Sequence, residues 1–85
     1  MFDYLENPDI KKNNLKKIRT DLGLTITALS KLAGISTKVI SQTERMLDDP
    51  TRVTKNKILI GLNSESASTG KKWKYEDVFP GDEVL

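Results

Sequence analysis

The chain predicts an all-α fold, a compact bundle of about five short helices. Three observations carry this expectation. Apolar residues recur at helical spacing, as at Leu15, Ile18 and Leu22, and stop at a glycine. The stretch from Leu24 to Pro50 divides about Gly34 into two further short helical segments, each preceded by a hydroxyl residue able to cap it. A chain of 85 residues has length for one modest hydrophobic core and little more.

Residues 1–11 are irregular and form an N-terminal arm, whose Phe2, Tyr4 and Leu5 can pack on the domain at 12–80. Asn7 and Pro8 suit a cap and a first helical position, so a helix could begin as early as Pro8. The regular first helix is expected over Lys12–Leu22, with Gly23 as its C′ residue. Thr25 caps a second helix over Ile26–Ala33, which buries Leu29 and either Leu32 or Ala33. Gly34 is the turn residue, because a sharp junction between helices usually needs one residue at positive φ, where a Cβ is penalised. Ser36 caps the third helix, Thr37–Met46, with Ile40 facing the core. Asp48, Asp49 and Pro50 make a turn, since the residue before proline is biased out of helix. Val53, Asn56, Ile58, Leu59, Ile60 and Leu62 suggest a fourth helix ending near Asn63, with an untidy apolar stripe. Ser64–Lys72 is polar, holds Gly70, and is expected to be a flexible loop. Trp73 precedes a last short helix, Tyr75–Phe79, closed by Pro80 and Gly81, and residues 81–85 form a frayed acidic tail.

Composition removes several classes of function. The chain has no cysteine and no histidine, which excludes disulfides, thiolate metal sites, zinc fingers and imidazole acid–base chemistry. No apolar run approaches a membrane span and the N-terminus lacks a leader pattern, so a cytoplasmic protein with no membrane partner is expected. No cofactor or metal is implied. The neighbouring acids Asp48 with Asp49 and Glu76 with Asp77 are adjacent in sequence and diverge rather than converge on a substrate, so no enzyme is expected. The net charge of +2 conceals an uneven distribution. Residues 11–57 carry eleven Lys or Arg against Asp21, Glu44, Asp48 and Asp49, and the rest carries three lysines against eight acids. A basic segment of this kind is the electrostatic footprint of a phosphate-facing surface, or else a solvated lysine face.

The basic segment coincides with the glycine-centred helix pair, whose core at 25–46 has the pattern of a helix-turn-helix. In that geometry Thr37, Lys38, Ser41 and Gln42 project from one face of the third helix, as reading a DNA major groove requires. Lysine can donate to guanine O6 and N7, glutamine can pair with adenine, and threonine can use its hydroxyl or meet a thymine methyl. The blander alternative is a set of solvent-facing polar residues.

The order and spacing of LGLT at Leu22–Thr25, LSKLAGIS at Leu29–Ser36 and VISQTER at Val39–Arg45 resemble the lambda-repressor-like helix-turn-helix family, of Cro/repressor or Xre type. The resemblance covers roughly Asn13 to Leu62, and the segment from Tyr75 to Pro80 resembles the family's terminal short helix. It implies that Arg19 and Glu44 form a partly buried ion pair joining the first and third helices. It also implies that Thr37, Lys38 and Gln42 are base-reading positions, with Ser41 beside them. Thr25 and Thr27, at a helix start with free N–H donors, are candidates for DNA phosphate, as are Arg45 and Arg52. Several positions depart from the family pattern. Ile26 stands where glutamine is frequent, Ser30 where alanine is usual, and Thr43 where an apolar residue is usual. The hydroxyl of Ser30 can bond back to its helix. The loop after the third helix, commonly basic, reads MLDD, and its acids would repel phosphate if they faced it.

The leading expectation is a sequence-specific regulator of transcription that binds double-stranded DNA, of the repressor type found in phages, prophages and plasmids, and associated with the nucleoid when bound. The alternative is a protein-interaction module on the same fold, an antirepressor or antitoxin-like partner of another regulatory protein. A homodimer is compatible with either, with Trp73, Val78 and Phe79 as a candidate contact that could equally be internal packing.

Overall fold

The computed structural model describes residues 12–81, and the expected arm at 1–11 and the tail beyond Gly81 lie outside them. The described residues are helical, with no strand. They form α1 (Leu15–Asp21), α2 (Ile26–Ala33), α3 (Thr37–Glu44), α4 (Arg52–Ser66) and α5 (Tyr75–Val78), with a 3-10 turn at Ala67–Thr69 after α4.

Three successive helix ends share one mechanism. After α1, Gly23 lies at φ +75° and the Leu24 amide donates to the Arg19 carbonyl at 3.1 Å. After α2, Gly34 lies at φ +71° and the Ile35 amide donates to the Ser30 carbonyl at 3.2 Å. After α3 the left-handed residue is Met46, at φ +59°, and the Leu47 amide donates to the Gln42 carbonyl at 2.9 Å. Each bond spans five residues and satisfies a terminal carbonyl that the helix itself leaves open. The left-handed Met46 stops α3 at Glu44, two residues short of the expected end.

The starts of α2, α3 and α4 are capped by side chains. Thr25 accepts from the Ala28 amide at 3.0 Å, Ser36 from Val39 at 3.2 Å and Thr51 from Thr54 at 3.3 Å. The first helix starts at Leu15 rather than Lys12 because the two asparagines before it are committed elsewhere. Asn13 accepts from the Leu15 amide at 3.1 Å and donates to the Thr43 carbonyl at 3.0 Å. Asn14 donates to the Val78 and Asp77 carbonyls at 2.8 and 3.0 Å, through its amide and its side chain respectively. These bonds bind the start of α1 to the ends of α3 and α5.

The core is Leu15, Ile18, Leu24, Leu29, Ala33, Ile40, Ile58, Leu62, Val78 and Phe79, with Trp73 and Tyr75 packed partly against it. Ala33 is buried and Leu32 exposed, which resolves the choice between them. The buried side of α4 consists of Lys55, Ile58, Gly61, Leu62 and Ser66, two of them polar and one without a side chain. This explains the untidy stripe. At Gly61 a Cβ would meet the Ala33 backbone nitrogen and a Leu29 methyl, each at 3.1 Å, so α2 and α4 pack there with nothing between them.

The segment 64–72 is not the featureless loop its polarity predicts. Helix α4 runs on to Ser66, whose buried hydroxyl donates to the Lys71 carbonyl at 2.9 Å. Asn63 then clamps the backbone of Trp73, accepting from its amide at 2.7 Å and donating to its carbonyl at 3.1 Å. These side-chain bonds substitute for the apolar residues the segment lacks.

Candidate nucleic-acid interface

The exposed side of α3 is defined by what its other side buries. Ile40, Thr43 and Glu44 are buried, and successive residues turn by about 100° in a helix. Lys38, Gln42 and Arg45 therefore fall within an arc of roughly 60°, directed away from the core. Lys38 and Arg45 are exposed and Gln42 half-buried. Ser41, half-buried, lies at the edge of the same face, whereas Thr37, exposed in the first turn, lies about 100° round the helix from Lys38, on the side of Glu44. No hydrogen bond or ion pair within the described residues engages the Lys38 ammonium or the Gln42 amide. Both stand ready for an outside acceptor or donor.

Burial of Thr43 and Glu44 is the condition for that orientation. The Thr43 hydroxyl donates to the Val39 carbonyl at 2.7 Å, so a polar residue occupies a core position with its donor satisfied. Arg19 donates through Nε to Glu44 Oε2, through Nη2 to Glu44 Oε1 at 3.0 Å, and through Nη1 to the Leu24 carbonyl at 2.7 Å. Both side chains are nearly buried, at 11% and 4% exposure. This forked pair ties α3 to α1 and fixes its rotation, hence which residues face outward.

The other sequence-selected residues lie on adjoining elements. Thr25 and Thr27 are exposed at the start of α2, and the Thr25 hydroxyl oxygen is used in capping while its proton stays free. No bond links either threonine to the α3 set among the described residues. Arg52 opens α4, exposed, with its guanidinium 4.4 Å above the ring of Tyr75, a contact that steadies the side chain. Ile26 is half-buried against the core, which accounts for an apolar residue at that position. The Ser30 hydroxyl does not bond back into its helix. It donates forward to the Ile35 carbonyl and straps the α2–α3 turn.

Three of the four acids in the basic segment form ion pairs, two of them with buried cations and one, Asp21 with Lys17, on the open surface. Glu44 pairs with Arg19, Asp21 with Lys17 at 3.3 Å, and Asp49 with Lys55 at 2.6 Å. The last pair was not foreseen from sequence. Lys55 is only 4% exposed and its ammonium lies 5.2 Å from the centre of the Phe79 ring. A legible sign existed, because Lys55 shares the i, i+3, i+7 stripe of Ile58 and Leu62. Asp48, whose carboxylate accepts the Asp49 amide at 2.9 Å, makes no ion pair among the described residues.

No described helix is long and apolar enough to cross a membrane. Comparison with protein-family models, with curated proteins and with solved structures gives no match.

Proposed function

We propose that the chain is a sequence-specific regulator of transcription that binds double-stranded DNA, with α2 and α3 forming a helix-turn-helix. The observation that carries this reading is the face of α3. Lys38, Gln42 and Arg45 point away from the core on a helix whose rotation is held by a buried ion pair. Lys38 and Gln42 supply base discrimination and Thr37 and Ser41 flank them, while Thr25, Thr27, Arg45 and Arg52 grip phosphate. Phosphate contacts give much of the affinity and its salt dependence. The sequence resemblance supports a repressor of the phage, prophage or plasmid kind, acting in the cytoplasm without catalysis. Recovery of bound sequences from a random duplex pool, run beside Lys38→Ala/Gln42→Ala, tests this. An enriched motif is expected that the double variant loses, at roughly 1–3 kcal/mol of discrimination per good base contact. Enrichment indifferent to both substitutions would remove α3 as the reader.

A protein-interaction module is favoured by one observation, the 65% exposure of both Val53 and Ile60 on α4. Trp73 and Tyr75 add less to that reading, since both pack partly on the core.

A further inference from the structure

The connection between α3 and α4, residues 45–51, carries two adjacent carboxylates beside a surface read above as facing phosphate. By charge alone they are equivalent, and neutralising either should tighten DNA binding. Their surroundings differ. Asp48 is exposed and its carboxylate is engaged only by the next backbone amide. Asp49, itself 36% exposed, pairs with the buried ammonium of Lys55, which also lies over Phe79. Among the described residues this ion pair is the bond that ties 48–50 to the body of the fold. Arg45 stands at one end of the connection and Arg52 follows the other.

We propose that Asp49 is a positioning residue for the DNA-facing surface, and that Asp48 is the carboxylate of this connection that opposes phosphate. A buried ammonium needs its counter-charge, so Asp49 is drawn to α4 and brings the chain with it. The connection is thereby held against α4 beside Phe79, and with it the position of Arg45 at its start relative to Arg52. The two acids then act on DNA with opposite sign. This inference rests on the DNA-binding reading above.

The test measures binding of a fluorescent mixed-sequence duplex at two salt concentrations by wild type, Asp48→Asn, Asp49→Asn and Asp49→Glu. Amide hydrogen exchange of residues 45–51 is followed in the same DNA-free proteins. D48N is expected to tighten binding roughly two- to five-fold, the weight of one screened surface charge, with exchange unchanged. D49N is expected to weaken binding although it removes the same charge, and to speed exchange across the connection. D49E is expected to restore part of both. The pair D49N/K55M removes the tether without stranding a charge or altering net charge, and is expected to weaken binding as D49N does; it serves in its place if D49N does not fold. Tightening by D49N equal to that by D48N, or unaltered exchange on loss of the tether, overturns the proposal. A wild-type chain that binds no duplex overturns the DNA reading instead, while exchange still decides whether the tether orders the connection.

Discussion

Met46 and Glu44 occupy positions that chemistry disfavours, and in each case a specific arrangement permits it. Met46 takes a left-handed conformation, where two earlier helix ends use glycine. A side chain there costs about 1–2 kcal/mol. Met46→Gly and Met46→Ala both delete the side chain, so their difference isolates the backbone. We expect the glycine variant to be the more stable by about 1 kcal/mol in urea titration; equal stability would show that α3 ends without a left-handed residue. Glu44 is a carboxylate in the interior, held by two guanidinium bonds. Its replacement by Leu would strand the Arg19 cation and cost about 3–5 kcal/mol. The double change Arg19→Met/Glu44→Leu should cost much less, since it leaves no uncompensated charge. A single variant as stable as wild type would mean that the pair is solvated and does not hold α3.

At the scale of elements, the contact between α2 and α4 depends on the absence of a side chain. In an exposed helix Gly→Ala stabilises by about 1 kcal/mol through propensity. At Gly61 the new methyl would press on the Ala33 backbone and a Leu29 methyl at 3.1 Å, and overpacking of this kind costs about 1–3 kcal/mol. The steric term is expected to win, so Gly61→Ala should lower the melting temperature; a rise would show that the two helices separate at little cost. The polar segment after α4 illustrates the same scale. Ser66 and Asn63 reach forward to Lys71 and Trp73, bonds across five and ten residues that no local pattern announces. A polar composition was therefore compatible with an ordered turn, because its donors and acceptors are satisfied within the fold.

Across the whole molecule the basic surplus is redistributed by internal pairing. Arg19 and Lys55 count toward the charge of the segment 11–57, yet both are buried with acid partners and cannot meet phosphate. The cations left for a polyanion are surface groups such as Lys38, Arg45 and Arg52. Under the proposed function, Arg45→Ala and Arg52→Ala should each weaken binding about equally on all duplex sequences. Each should also reduce the slope of log affinity against log salt by about 1. Substituting Lys38 with Gln42 should instead alter sequence preference. If the arginine variants change preference and leave the salt slope intact, the division between phosphate and base contacts proposed here is wrong.

The local elements were legible because their signals are local. Thr25, Ser36, Gly23 and Gly34 mark helix boundaries through caps and left-handed turns that involve at most six consecutive residues, and α2 falls on the expected bounds. The outward face of α3 was also legible, since a helical period turns Ile40 inward and leaves Lys38 opposite. The interior polar contacts were less so. The Arg19–Glu44 pair was expected only through a family resemblance, and neither Lys55 with Asp49 nor Asn13 with Thr43 was expected at all. Whether a charged residue is solvated or buried depends on which other element comes to lie against it. The sequence by itself determined the all-helical class, the bounds of α2 and the inward side of α3. Only the tertiary structure decided which charges are consumed inside the fold, because burial and pairing arise between helices distant along the chain.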